Sequence, residues 1–383
     1  MKLTLIVIAA MGLAGSALAQ TQTPSTFATG LLNPNKILLG PAGTLLAAET
    51  GTEKNTGRVS VISAAGARRT LLDALPSGLS APNNDPDGVN GLLLDGNTLY
   101  IAIGEGDLFA NGTAPGTTVV APRVPASPIF GSVLAVTFSK SVDQIATGFT
   151  LKATDHIPLL DGKTVTLDNG QGDTATVTML AQFRPRPDPR ALWKNCHPFG
   201  LTKLDSDPNH IYMNDAGLNL VTQIDTQSGR AKTVSSFGPF PNFGANANPP
   251  VVDAVPTSVH AYGDQLLVTF LTGFPFSPGD SKVLMLDPAT GNSTPFISWV
   301  NSTMDIAWRP REAGSRPQFW TVEFSTNMLA NAPGRLLQFD TAVPTVIASG
   351  LATPTSLALD QANGKLYIST RADGKVLVVD VGK

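Results

Sequence analysis

The chain has 383 residues, of which 42% are hydrophobic and 14% charged, with 36 Gly, 30 Pro and a formal charge of −3 from 26 Lys+Arg against 29 Asp+Glu. That apolar content with so little charge excludes a disordered chain, the Gly and Pro content excludes a coiled coil, and the near-balanced charge without a long Lys/Arg run argues against a nucleic-acid partner. The length suits one large all-β domain or two ordinary ones.

The chain opens with a basic start, Met1-Lys2, an apolar run over 3–13 and the small-residue pattern Ala17-Leu18-Ala19. This predicts a signal peptide over 1–19 and a mature chain from Gln20. The run is too short to cross a bilayer comfortably, and no later stretch approaches the length of a span. An extracytoplasmic protein, periplasmic or secreted, with no membrane span is expected. Cys196 is the single cysteine, so no internal disulfide forms.

From residue 37 onward one unit recurs: an apolar strand, a tight turn, a second strand, a loop and a third strand. The first two strands are predicted over 37–39 and 45–48, 92–94 and 99–102, 201–204 and 211–213, 259–261 and 266–269, 306–308 and 319–322, and 357–359 and 366–369. The third strands follow over 57–61, 131–136, 219–225, 282–287, 334–340 and 375–380. The turns are rich in Gly, Asp and Asn, as hairpins require. Six copies of a four-stranded meander predict an all-β, six-bladed β-propeller over 20–383.

The last copy lacks a fourth strand. Phe27-Ala28-Thr29-Gly30-Leu31 matches Ile347-Ala348-Ser349-Gly350-Leu351, in the fourth strand of copy five, and Ile145-Ala146-Thr147-Gly148-Phe149, assigned to the fourth strand of copy two. Blade six is therefore expected to be closed by the N-terminal strand, removing an exposed sheet edge.

The connections divide by length. Those after first and third strands are short, such as 40–43, 95–96 and 262–264. Those after second strands and before first strands are long: 75–89, 104–130, 149–195, 237–254, 271–280 and 324–333. Long loops carry function on a rigid scaffold, so their shared face is the expected ligand face. The insertion 150–195 reads as a β-hairpin on that face, with strands over 163–167 and 174–179 flanking Asp168-Asn169-Gly170. The Pro-rich stretch 183–190 follows as a stiff linker.

Aligning the copies places two rings of residues on the ligand side of the axis. The lead positions of the first strands are Asn35, Asn90, Phe199, Thr257, Met304 and Thr355. The ends of the second strands are Glu49, Ile103, Asp215, Phe270, Glu323 and Thr370. Glu49, Asp215 and Glu323 with Asn35 and Asn90 are hard oxygen ligands suited to Ca²⁺ or another divalent metal, or to acid–base work on a polar substrate. The alternative is that they cap turns or pair with Lys36, Arg58, Arg335 and Arg371. The stretch 83–88 resembles the first half of a calcium loop, but Leu94 stands where a bidentate Glu belongs. It reads better as a turn that leaves Asp85 and Asp87 within reach of the channel mouth. Cys196-His197 precedes the third blade near the axis. Neighbours in a strand point apart, so the pair reads as packing, with His197 a ligand candidate. Phe240, Phe243, Phe274 and Phe276 lie on adjacent long loops and either line an aromatic-ligand pocket or pack the loops together.

The whole mature chain resembles the ScyD/ScyE family of secreted propellers. The likeness rests on Asp161-Gly162-Lys163-Thr164-Val165-Thr166-Leu167, the NCHPFGL stretch over 195–201, Val255-Pro256-Thr257-Ser258-Val259, Gly263-Asp264-Gln265-Leu266-Leu267-Val268-Thr269, Gly273-Phe274-Pro275-Phe276, Pro333-Gly334-Arg335-Leu336-Leu337 and the TPTSLALD stretch over 353–360. It implies a TolB-like six-bladed fold, export and involvement with aromatic secondary metabolites. More distantly, the repeat is similar to SMP-30/gluconolactonase and NHL propellers. The former hold a divalent metal at the axis, and Asn90-Gly91-Leu92 resembles their Asn-Gly-Leu; their Glu-Gly-Pro start is absent here. The resulting expectation is a monomeric, exported propeller binding a small molecule or an extracytoplasmic protein on its long-loop face. Asn35, Asn90, His197, Thr257, Thr355, Phe274 and Phe276 are its ligand candidates. The alternative is a divalent-metal-dependent lactonase or hydrolase using Glu49, Asn90 and Asp215, with Glu323 and Asp87 as further metal candidates.

Overall fold

The computed structural model describes residues 22–81, 83–113, 118–183, 195–244, 248–311 and 315–383. Six sheets of four or five strands, paired antiparallel except for one added strand in blade one, stand around a common axis. Their innermost strands are Pro34–Leu39, Val89–Asp95, Pro198–Thr202, Pro256–Tyr262, Thr303–Arg309 and Pro354–Asp360. Each packs on the next, and that of blade six returns to that of blade one. The six-bladed propeller read from the repeat is thus observed.

Period-two alternation explains the ring. In blade two, Leu99, Ile101 and Ile103 point into an apolar cluster shared with blade one, whereas Tyr100 and Ala102 point into one shared with blade three. In blade one, Leu46 and Ala48 face blade two while Leu45 and Ala47 face blade six. The remaining clusters fill the junctions of blades three and four, four and five, and five and six. Each blade is an apolar layer sandwiched by its neighbours, so its strands read as continuous hydrophobic runs.

The expected closure of blade six needs correction. Ser25–Ala28 does lie antiparallel on Lys375–Asp380, with Ser25 opposite Val378. It forms the free outer edge of an open sheet whose other edge is Pro354–Asp360, so it removes no edge, and none of the six blade sheets is closed on itself by hydrogen bonds. Side chains shut the ring instead. Ala28, Leu31, Ile37, Ala358 and Tyr367 share one apolar cluster. Thr355 Oγ1 donates to Pro34 O at 2.9 Å, and Ile37 N donates to Ser356 Oγ at 3.1 Å.

The predicted insertion is also corrected. Phe149–Thr150 adds a parallel strand to blade one, opposite Leu72 and Asp73. Gly148 permits this, because a Cβ there would lie 2.5 Å from Thr70 O. The fourth strand of blade two is Thr174–Gln182, laid along Ser132–Phe138, with Val165–Asp168 outside it. The hairpin thus widens the blade rather than standing on the long-loop face. Its turn lies at the opposite end, where Ser139 N donates to Thr174 O. Burial of Ala175 and Val177 against the blade drives this placement. The linker predicted over 183–190 falls, apart from Phe183, outside the described residues.

Candidate functional site

Each innermost strand carries a β-bulge where it begins. The register slips between Pro34 and Lys36, Val89 and Gly91, Pro198 and Gly200, Pro256 and Ser258, Thr303 and Asp305, and Pro354 and Ser356. The extra residue in each case is the lead residue picked out by aligning the copies. A bulge leaves one residue without a cross-strand partner and re-aims its side chain.

Four of the six turn sideways to the next blade. Asn35 Nδ2 reaches Asn90 Oδ1 at 3.1 Å, and Asn90 Nδ2 reaches Pro198 O at 3.4 Å. Thr257 Oγ1 donates to Thr303 O at 2.8 Å, and Thr355 to Pro34 O. Thr257 and Thr355 therefore act as latches between blades. Phe199 and Met304 are apolar, and Phe199 of blade three packs onto the cluster of blades five and six that contains Met304. Apolar side chains thus cross the axis at this level.

On the long-loop side, residues of blades one, two and three converge. Asp85–Asp87 pairs with Gly78–Ser80 in a small hairpin that brings Asp87 to Asn90 and His197. Asp87 Oδ1 accepts from Asn90 Nδ2 at 2.8 Å and from His197 Nε2 at 3.0 Å, and Asp87 Oδ2 accepts from Gly106 N at 2.7 Å. Burial opposes its ionisation, yet His197 and these donors hold its carboxyl far below the usual carboxylate range. Burial also opposes charge on His197, but Asp87, Glu105 and Asp215 outweigh it and lift the imidazole to about 9. Its side chain keeps 22% exposure. Glu105 is 5% exposed and accepts from Ser80 Oγ. Burial, then Asp87 and Asp215, push its carboxyl up to about 7. Behind them Asp215 is fully buried. Its Oδ1 accepts from His197 N, Gly217 N and Leu218 N, while its Oδ2 has no partner. Burial raises its carboxyl despite those donors.

Of the candidates, Asn35, Asn90, Asp87 and His197 therefore form one hydrogen-bonded group. Glu49, Asp215 and Glu323 do not converge, because each is engaged locally. Glu49 takes Arg58 Nη2 at 2.6 Å, and also Ser60 and Leu32 N. Glu323 takes Arg335 and Asn301 N. Among the described residues no three His, Cys, Asp or Glu side chains come together in a way that would hold a metal ion. Their ion pairs and backbone hydrogen bonds match the turn-capping and Arg-pairing alternative. Cys196 is buried beside Phe183 O, and burial, then Asp215 and Glu105, raise its thiol.

The aromatic candidates separate. Phe240 packs on Phe270 in the core, with Lys282 Nζ 4.0 Å from its ring centroid. Phe274 and Phe276 meet edge-on at 6.1 Å, and Phe243 lies 5.0 Å from Trp299. Phe243, Phe274 and Trp299 are largely exposed on the rim of blade four. Trp299 was missed by sequence reasoning. It is the bulged residue of Ser293–Val300 at φ +64°, where blade five has Gly350 at +74°.

Also missed was a network one residue past the bulges. Lys36 Nζ donates to Asp305 Oδ2 at 2.8 Å, as do Ser356 Oγ at 2.7 Å and Leu357 N at 2.9 Å, and His260 Nε2 meets Asp305 Oδ1 at 2.5 Å. Burial works against the Asp305 charge, but Lys36 and His260 hold its carboxyl far down, while burial and Lys36 lower His260. The signal was available, since Lys36 and Asp305 occupy the repeat position filled elsewhere by Gly91, Gly200, Ser258 and Ser356. On the short-turn face a cleft of about 410 Å³ is lined by Arg309, Pro310, Arg311, Ser315, Gln361 and Lys383. Its arginines are occupied, Arg309 by Val381 O and Gly382 O and Arg311 by Asp340. Among the described residues no helix is long and apolar enough to cross a membrane.

No protein-family model matches the chain, and no curated protein does. Solved structures do. A putative phosphatase from Bacteroides thetaiotaomicron aligns with 9% identity and a TM-score of 0.52 over 93% of this chain and 72% of that one. A nidogen/laminin complex aligns at 11% identity and 0.49, over 88% of this chain and 90% of that one. The Kuenenia stuttgartiensis hydrazine synthase aligns at 15% and 0.46, over 92% and 78%. At such identity the phosphatase likeness is one of fold alone, that of the propeller.

Proposed function

We propose that this protein is an exported propeller that binds a small molecule at the mouth of its axis on the long-loop face. The observation that carries the reading is the convergence of Asn35, Asp87, Asn90, Glu105 and His197 from three blades, with buried ionisable groups beside a part-exposed imidazole. Burying charge destabilises a fold unless it is paired and hydrogen-bonded. A cluster of shifted acids and bases in the long-loop face therefore marks a binding site better than a structural one. The signal-like start at residues 1–19 and the resemblance to ScyD/ScyE propellers support export and an aromatic metabolite as ligand. Phe274 and the Phe243–Trp299 pair offer further aromatic surface on the same face.

Calorimetric titration with a panel of aromatic metabolites tests this. Binding that is weakened at least ~10-fold by Asn90→Ala or His197→Ala supports the mouth. Binding untouched by both substitutions refutes it.

A further inference from the structure

Exposed aromatic side chains gather at one place on the molecule. Trp299, Phe274 and Phe243 are 70%, 66% and 54% exposed, and among the described residues no other Phe, Tyr or Trp is as open to solvent. All three stand on the rim of blade four, tied together by the loop over 271–280. Phe243 N donates to Asp280 Oδ1 at 2.8 Å, Ser277 Oγ to Asn242 Oδ1 at 2.9 Å and Gly279 N to Asn301 Oδ1 at 2.8 Å. A Cβ on Gly279 would lie 3.7 Å from Trp299 Cε3. Trp299 is strained where it stands. It is the bulged residue of Ser293–Val300 at φ +64°, where the bulges of blades one and five hold Ala74 at +53° and Gly350 at +74°. Gly would relieve that strain. A large ring kept at a strained position and turned to solvent marks a binding role.

The segments that carry these rings lack charge. The stretches 237–252, 265–279 and 288–304 contain no Asp, Glu, Lys, Arg or His. Of the charged residues that directly adjoin them in sequence, Asp264 and Asp287 lie in turns of the opposite face, Asp305 is taken by Lys36 and Asp280 is buried. Asp253 is exposed beside Gly273. Neutral hydrogen-bonding groups accompany the rings: Ser298 is exposed, and Ser277 and Asn301 are half-buried.

Independently of the axis mouth, we infer that this rim holds a neutral polysaccharide, with sugar rings stacked on Trp299 and Phe274 and their hydroxyls on Ser298 and Asn301. A sugar ring offers a face of C–H bonds to the negative face of an aromatic ring and a rim of hydroxyls to amides and hydroxyls. It requires no charged partner. An anionic polymer calls for Lys or Arg. A bilayer surface takes up aliphatic and basic side chains, and among the described residues of these segments Val251 is the single exposed large aliphatic one. Two aromatic pairs on one frame, Phe243–Trp299 and Phe274–Phe276, suit a chain of sugars rather than one.

Electrophoresis of the full-length protein in native gels containing hydroxyethylcellulose, laminarin or dextran, with alginate as the anionic control, tests this. Retardation by at least one of the three neutral polymers and not by alginate is expected. Trp299→Gly should weaken it at least ~10-fold, the loss typical of a truncated hot-spot Trp, while keeping a Tm equal to or above wild type. Phe274→Ala, at an exposed ring, should weaken it as well. No retardation by the neutral polymers, or retardation untouched by both variants, overturns the inference; because no mouth residue is altered, that failure leaves the mouth reading to its own titration. Stronger retardation by alginate, binding to phosphatidylglycerol vesicles that Trp299→Gly abolishes, or a wild-type dimer that Trp299→Gly converts to monomer overturns it in favour of an anionic polymer, a lipid surface or a second copy of the chain.

Discussion

Replacing Glu105 with Gln should make the protein more stable above neutral pH, although it removes a side chain from the proposed site. The buried Glu105 carboxyl is raised from 4.5 to about 7 by burial first and by Asp87 and Asp215 next. In the unfolded chain it ionises near its ordinary value. The folded state therefore holds the proton more tightly, and the stability this contributes is complete below about 4.5 and lost as pH rises through about 7. A rise of about 2.5 units at 1.36 kcal/mol each corresponds to about 3 kcal/mol. Gln keeps a carbonyl oxygen for the Ser80 hydroxyl and carries no charge. Glu105 also helps raise His197 to about 9, and losing that attraction offsets part of the gain. The expectation is a Glu105→Gln protein more stable by about 1–3 kcal/mol at pH 8.5 and equal to wild type near pH 4.5. Urea midpoints across this range, at unchanged m-value, measure it. A Gln variant no more stable at pH 8.5, with the wild-type pH slope intact, would show that Glu105 is not held in an ionisation-hostile site.

The remaining expectations concern the ring, the thiol and the rim. Lys36→Met leaves buried Asp305 without its cation and should cost about 3–5 kcal/mol, with Asp305→Asn in the same background recovering part of it; a loss below about 1 kcal/mol by urea denaturation would mean the pair does not clamp blades one and five. His197 is raised by its carboxylates, so its contribution to stability is full below about 6.5 and fades as pH rises through about 9; His197→Ala should flatten the alkaline limb of the stability profile. Cys196, buried and with its thiol raised, should resist a disulfide reagent at pH 8 in the native protein and react only at the unfolding rate; prompt native labelling would contradict its placement. Trp299 sits at φ +64° and is 70% exposed, so Trp299→Gly should relieve about 1 kcal/mol of backbone strain, detected as a Tm equal to or above wild type.

By itself the sequence determined what repeats. Strand pairs alternating every second residue, the turns between them and their six copies specify the blades, because burial against two neighbours leaves an apolar signature on every strand. Asn35 and Asn90 were visible for the same reason, since the repeat counts residues to the axis, and His197 from its place beside Cys196 just before the third blade. What the repeat does not encode, only the tertiary structure decided. The stretch 145–149 carries the motif of a fourth strand, yet only its last residue, Phe149, enters a strand, and that strand joins blade one, because Thr174–Gln182 offers a longer apolar face to the free edge of blade two. The N-terminal strand matched its motif and found Lys375–Asp380, but the ring is shut by side-chain packing and cross-blade bonds, which no local pattern announces. Glu49 and Glu323 looked like a metal set because equal repeat positions suggest a shared centre. Arg58 and Arg335 on the neighbouring strand take them first, since a cross-strand partner lies nearer than the axis. Glu105 comes to the mouth from a long loop of blade two, and Arg371 follows directly on the last second strand; long-range folding alone sets which charges they face.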